Sequence, residues 1–154
     1  MTELQPSGRV AGIDYGTVRV GIAVTDSRRT MASPVESYTR RDARLDAEHF
    51  IRLVAEQAVS LFVVGLPVHL DGRESGKSEE ARRFGQWLAE VTGVPVEFFD
   101  ERFTTTEAQY VLSDAQLRGK RRRRRVDMLA AQIMLSAWLE SPSRGQQPPR
   151  SLDD

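Results

Sequence analysis

Two short apolar stretches open the chain, RVAGIDYG over residues 9–16 and VRVGIAVT over 18–25. Both are rich in β-branched residues, which predicts two strands, and Gly16-Thr17 between them suits a tight hairpin. A third strand fits 34–39, where Pro34 confines it to a sheet edge or a strand start. From Asp42 the period changes. Leu45, His49, Phe50, Leu53, Val54 and Ala58 recur at helical spacing, predicting a helix over 42–59 with Asp42 as its N-cap. LFVVGL at 61–66 is continuously apolar, as a buried parallel strand is, and Pro67 ends it. PVHLDGRESGK at 67–77 reads as a loop in which Gly72, after Asp71, permits a turn. Helical period returns over 78–92, with Phe84, Trp87, Leu88 and Val91 on one stripe. Pro95–Phe99 predicts a further strand, ending at Asp100-Glu101-Arg102. Thr104 and Glu107 have capping-box spacing and open a helix with Ala108, Val111, Leu112 and Ala115 facing inward. VDMLAAQIMLSAWL at 126–139 is apolar nearly all round, which predicts a helix buried on most sides.

The resulting order, βββαβαβαα, implies an α/β fold. Three meandering strands followed by αβ alternation give a mixed five-stranded sheet with helices on its faces. Sites in such sheets gather at the carboxyl ends of parallel strands, where strand order reverses. The chain has 154 residues, which suits one domain able to bury its own core. That domain is expected over 9–140. Residues 1–8 read as a disordered lead-in. Residues 141–154, rich in Pro, Gly, Gln and Ser, read as a disordered tail. No internal repeat is visible.

Composition narrows the chemistry. There is no cysteine and there are two histidines, His49 and His69, so Cys-ligated zinc and His-rich metal sites are excluded. Any bound metal must be held by oxygen, which favours Mg²⁺ or Mn²⁺. No apolar run is long enough to cross a bilayer, and no signal peptide is seen at the N-terminus. The expected location is the cytoplasm, with no membrane partner. The net charge is zero, yet seven of the 22 basic residues fall within Arg118–Arg125, in RGKRRRRR.

Three acids stand where packing alone does not want them. Asp14 lies inside an apolar strand, Glu101 just past the end of another, and Asp127 in the first turn of the apolar helix. Burying a carboxylate without a partner is costly. Each has an ordinary explanation: a turn acid before Gly16, an ion pair with Arg102, a complement to the helix dipole. Together they suggest a cluster on one sheet. Clustered carboxylates repel unless cations lie between them. A pair of divalent ions, roughly 3.5–4 Å apart, suits phosphodiester hydrolysis and needs no cysteine or histidine nucleophile.

Four blocks, GIDYGTVRVGIAV, VVGLP followed by DG, DERFTT and VDMLAAQIML, occur in order from about Arg9 to Leu139. They resemble the signature blocks of the YqgF/RuvX family of pre-16S rRNA nucleases, also described as Holliday-junction resolvase-like. The resemblance implies an RNase H-like fold, a cytoplasmic hydrolase active in ribosomal RNA maturation and ribosome biogenesis, and an acidic, metal-binding centre. It matches Asp14, Glu101 and Asp127 to the family's catalytic, metal-ligating acids. It matches Arg19, Arg102, Thr104 and Thr105 to residues that contact nucleic acid. A fourth acid common in the wider superfamily is not evident, since Arg124 and Ala130 flank Asp127 at three residues' distance. Asp100, Asp26 or water would have to supply it, so one ion or two are compatible.

The arginine run stands beside the helix that carries Asp127. A run of like charge is often only solvated, but Lys120, Arg121, Arg122, Arg123, Arg124 and Arg125 would here be tethered next to the acids and able to bind phosphates. Tyr15 and Trp87 read as packing residues rather than base-stacking platforms. His49 reads as a core residue, and His69 as a loop residue within reach of substrate. Three further readings stand beside RNA processing. A Holliday-junction resolvase acting on branched DNA would require a symmetric homodimer. A non-catalytic nucleic-acid-binding or transcription factor would not depend on Mn²⁺ or Mg²⁺. An actin-like phosphate-binding hairpin shares the Asp-x-Gly-Thr pattern but needs two domains to enclose a nucleotide.

Overall fold

The computed structural model describes residues 8–67, 76–101 and 119–141. Five strands, β1 (Arg9–Asp14), β2 (Arg19–Thr25), β3 (Ala32–Thr39), β4 (Val59–Leu66) and β5 (Val96–Asp100), form one sheet in the order β3-β2-β1-β4-β5. β2 is antiparallel to β1 and β3, whereas β4 runs parallel to β1 and β5. β3 is an edge strand, as Pro34 requires, and its register shifts between Ile22 and Ala23 of its neighbour. The carboxyl ends of β1, β3, β4 and β5 therefore share one edge of the sheet. The strand order reverses about β1, which puts the end of that strand at the expected crevice.

Helices α1 (Ala43–Gln57) and α2 (Gly76–Thr92) cover one face, and α3 (Gly119–Glu140) covers the other. Strand alternation distributes the core accordingly. Ala11, Ile13, Val20, Ile22, Phe62 and Val64 meet Phe50, Leu53, Phe84 and Leu88 on the first face. Val10, Ala23, Val63 and Phe99 meet Ala131, Met134, Leu135 and Trp138 on the second. Asp42 caps α1, its side chain accepting from the Leu45 amide at 2.8 Å. Ala58 ends the helix in a left-handed conformation, φ 52°. Among the described residues no helix is long and apolar enough to cross a membrane.

Two expectations about the last helix change. The arginine run does not precede α3; it forms its first turns, because Arg and Lys are good helix formers and nothing in the run breaks the period. Asp127 is consequently two turns inside the helix, so it does not complement an N-terminal dipole. Burial is also narrower than the apolar pattern implied, with only Ala131, Met134, Leu135 and Trp138 fully covered. The helix predicted to open at Thr104 lies outside the described residues.

Glycines set how close α3 comes. A Cβ on Gly12 would stand 2.9 Å from Leu135 Cβ, and one on Gly21 only 2.1 Å from the Asp127 carbonyl oxygen. Gly21→Ala should therefore force the helix off the sheet and cost about 1–3 kcal/mol, the usual range for overpacking. Gly76→Ala, with open space around it, should cost nothing. Urea unfolding of both variants checks this, and equal midpoints would contradict it.

Candidate active site at the carboxyl edge of the sheet

Asp14 is the last residue of β1. Alternation puts it on the same side as Val10 and Gly12, toward α3. It pairs across the sheet with Gly21, the residue over which the Asp127 backbone lies. β5 delivers the third acid. Glu97 and Phe99 face α3, with Glu97 accepting a hydrogen bond from Trp138 Nε1. Two residues on, Glu101 falls on the same side, its Oε2 close to where a Gly65 side chain would be. Asp100, with Phe98, belongs to the parity of the opposite face, where Phe98 meets Gly85 of α2. The sheet thus distinguishes Glu101 from its neighbour, which sequence register alone left exchangeable. Asp26 is no candidate for a further ligand. It lies at the opposite end of β2, binding Thr30 and Met31 within its own turn, and these bonds lower its pKa to about 2.

The three acids sense one another. Burial, then the negative charges of Glu101 and Asp127, pushes the Asp14 carboxyl up to about 7. Burial, reinforced by Asp100, also raises Glu101. Asp127 is held differently: Arg19 Nε donates to its Oδ2 at 2.7 Å, and Ser37 Oγ donates to the same oxygen at 2.8 Å. Arg19, expected to meet phosphate, is in this state the partner of Asp127.

An all-oxygen set of mutually repelling carboxylates at the rim of a buried sheet is what a hard divalent cation relieves. In that chemical sense the residues fit such an ion. Their present spacing is not a closed coordination shell, since among the described residues no three acidic or imidazole groups already converge as ligands. Asp127 is engaged by Arg19 and Ser37.

Beside these acids the face of α3 is graded. Lys120, Arg123, Arg124 and Asp127 follow the i, i+3, i+4, i+7 rule and share one stripe, which continues into buried Ala131, Met134 and Leu135. Lys120, Arg123 and Arg124, with Val18, Arg19 and Thr39, line a cavity of about 260 Å³. Arg121 and Arg125 are exposed on other sides of the helix. The first turn carries no acid, so cations stand at the positive end of the helix dipole. That arrangement opposes helix formation and favours an anion there. Arg102, Thr104 and Thr105 lie outside the described residues, as do His69, Asp71 and Gly72.

Sequence reasoning missed two residues. Ser37 carries no signal beyond its place in an edge strand. Asp46 is fully buried in α1, bound by Tyr38 Oη at 2.6 Å and the Arg41 amide at 2.8 Å. Its i, i+4, i+7 spacing with Phe50 and Leu53 could have revealed it. His49 is not a core group but stacks on Tyr38, with centroids 3.9 Å apart, and pairs with Glu36 at 2.8 Å.

Comparison with known proteins agrees with this architecture. A family model described as RuvX, Holliday junction resolvase, matches residues 8–141. A protein of Rhodopirellula baltica named "Putative pre-16S rRNA nuclease" is 43% identical over 96% of this chain and 86% of its own length. A protein of the same name from Koribacter versatilis is 35% identical over 94% of both chains. Among solved structures, Thermus thermophilus RuvC in complex with Holliday junction substrate superposes with a TM-score of 0.53 at 14% identity, covering 86% of this chain and 95% of that one. The yeast mitochondrial Holliday junction resolvase Ydc2 gives 0.51 at 11%, covering 90% and 80%. The fold is RNase H-like.

A carboxyl raised in the folded state favours folding while protonated. The chain should therefore be most stable below about pH 4 with respect to Asp14 and lose that contribution as pH rises toward 7. In EDTA, Asp14→Asn should flatten this fall in melting temperature between pH 4 and 7. An unchanged slope would show that Asp14 is not the group responsible.

Proposed function

The chain belongs to the RuvX family of Holliday junction resolvases, and from that premise we propose that it is a metal-dependent nuclease that hydrolyses phosphodiester bonds of a 16S rRNA precursor in the cytoplasm, through the unit spanning 9–140. The observation that carries the hydrolytic reading is the gathering of acids at one sheet edge: Asp14 pairs with Gly21, the Asp127 backbone lies over that glycine, and Glu101 lies against Gly65 on the same face. A protein that only bound phosphates would not aim three acids at them.

Asp14, Glu101 and Asp127 would hold one or two ions, Mg²⁺ or Mn²⁺. Such an ion supplies positive charge that activates an attacking water and offsets charge on the leaving oxygen. Arg19 then exchanges its bond to Asp127 for a substrate phosphate, to which a guanidinium binds bidentately. Lys120, Arg123 and Arg124 hold the backbone on the α3 side, where the helix already favours an anion. Arg102, Thr104 and Thr105 belong to the same nucleic-acid contact surface by family resemblance, and Arg121, Arg122 and Arg125 by their place in the arginine run. The RNA substrate follows the names of the relatives that match across most of their length. Cleavage of branched DNA is the second reading, favoured by the description of the family model, and it would require a homodimer.

The deciding experiment offers a labelled precursor RNA end and a four-way DNA junction with Mg²⁺, Mn²⁺ or EDTA. Metal-dependent cleavage that Asp14→Asn abolishes, with binding retained, is expected. Equal cutting by the variant would remove the proposed centre, and preference for the junction would replace RNA with DNA. Binding should also weaken with salt, and the slope should fall by about 0.7–0.9 for each phosphate that a variant no longer neutralises. Arg123→Ala and Arg124→Ala should each lower that slope, and Arg121→Ala should lower it less.

A further inference from the structure

Tyr15 follows Asp14, but alternation turns it to the opposite face, where it packs against the core beneath α1 and α2. There it lines a cavity of about 530 Å³, within the roughly 300–1,000 Å³ typical of ligand sites. The inner wall is aromatic. Tyr15 and Phe84 have centroids 5.0 Å apart, and Phe84 and Trp87 5.5 Å. Phe84 is buried, while Tyr15 and Trp87 are each half-buried.

The remaining lining is cationic. Arg40 is fixed in place, its guanidinium 5.3 Å from the Phe84 centroid and 5.6 Å from that of Tyr15. It also donates to Asp46 Oδ2 at 3.4 Å and to Tyr15 Oη at 3.3 Å. Asp46 is fully buried and committed to these partners. It balances Arg40 and leaves the exposed guanidiniums of Arg41 and Arg83 opposed by Glu80 alone among the lining residues. Two cations over an aromatic wall match a nucleotide, with a base to stack and a phosphate to neutralise.

The position fits a strand that passes the acids. The Arg40 amide donates to the Val18 carbonyl at 2.9 Å, and Val18 and Thr39 border the basic cavity on the α3 side. The two cavities thus lie at the same end of the β2–β3 pair, one on each face of the sheet, joined by the Arg40–Val18 hydrogen bond.

We propose that the cavity under Tyr15 holds an unpaired nucleotide of the nucleic-acid strand, its base against Tyr15 and Trp87 and its phosphate on Arg41 and Arg83. This deepens the nuclease reading by making the strand beside the cut single-stranded. Tyr15 and Trp87 then serve packing and stacking together.

The test uses the full Asp14→Asn chain in EDTA, titrated with a five-nucleotide oligoadenylate while tryptophan emission is followed. Trp138 is buried and bonded to Glu97, so Trp87 is the responsive fluorophore, and Trp87→Phe should remove the signal. Saturable quenching is expected. Affinity should fall by about tenfold or more in an Arg41→Ala/Arg83→Ala variant of unchanged melting temperature, and adenosine monophosphate should bind about tenfold more weakly than the oligomer. Absence of quenching, unchanged affinity in the double variant, or equal binding of the mononucleotide would each overturn the proposal. Binding is read here without cleavage. Failure of the catalytic centre and failure of this cavity are therefore separate results.

Discussion

The close approach of α3 to the sheet is the constraint from which the site follows. A helix packed on a sheet usually stands off by the thickness of its side chains. Here Gly12 and Gly21 remove that thickness under Leu135 and Asp127. The Asp127 backbone comes down on the very residue that pairs with Asp14, and carboxylates from the first strand and the last helix are forced to share one environment. Burial, and then the charges of Glu101 and Asp127, raise the Asp14 carboxyl.

Holding like charges together destabilises the folded chain, and other contacts offset it. Buried apolar residues on both faces fix the sheet. Trp138, bonded to Glu97, anchors the far end of α3 to β5. Arg19 balances the charge of Asp127, and Ser37 donates a hydrogen bond to the same oxygen. The result is a centre whose charge is incompletely balanced, beside a helix whose cationic start opposes its own dipole. Both imbalances have the sign that a cation and a polyanion would relieve together.

Much of this was legible in the residues. β-branched runs and helical periods located the five strands and the first two helices to within a few residues, because burial on one face or both imposes those periods. Asp14 and Asp127 stand out because each interrupts an apolar element, and Glu101 because it directly follows one. What stayed illegible depended on partners distant in the chain. Asp46 looks like any helix acid until Tyr38 and Arg41 are seen to enclose it. Ser37 is ordinary until it meets Asp127, 90 residues away. The arginine run misled for a local reason: charge suggested a solvated lead-in, whereas its helix propensity continued α3.

The sequence by itself determined the strands, the first two helices and the family, and ruled out cysteine ligation, since these rest on periodicity, composition and motif order. Tertiary structure decided which side chains share a face. It put Glu101 rather than Asp100 on the face of Asp14, held Asp26 at the opposite end of β2 and gave Arg19 to Asp127. It also separated Lys120, Arg123 and Arg124 from the rest of their run. The physical reason is parity and pitch. One residue in a strand, or one in a helix, carries a side chain to another face, and only packing fixes which face meets the site.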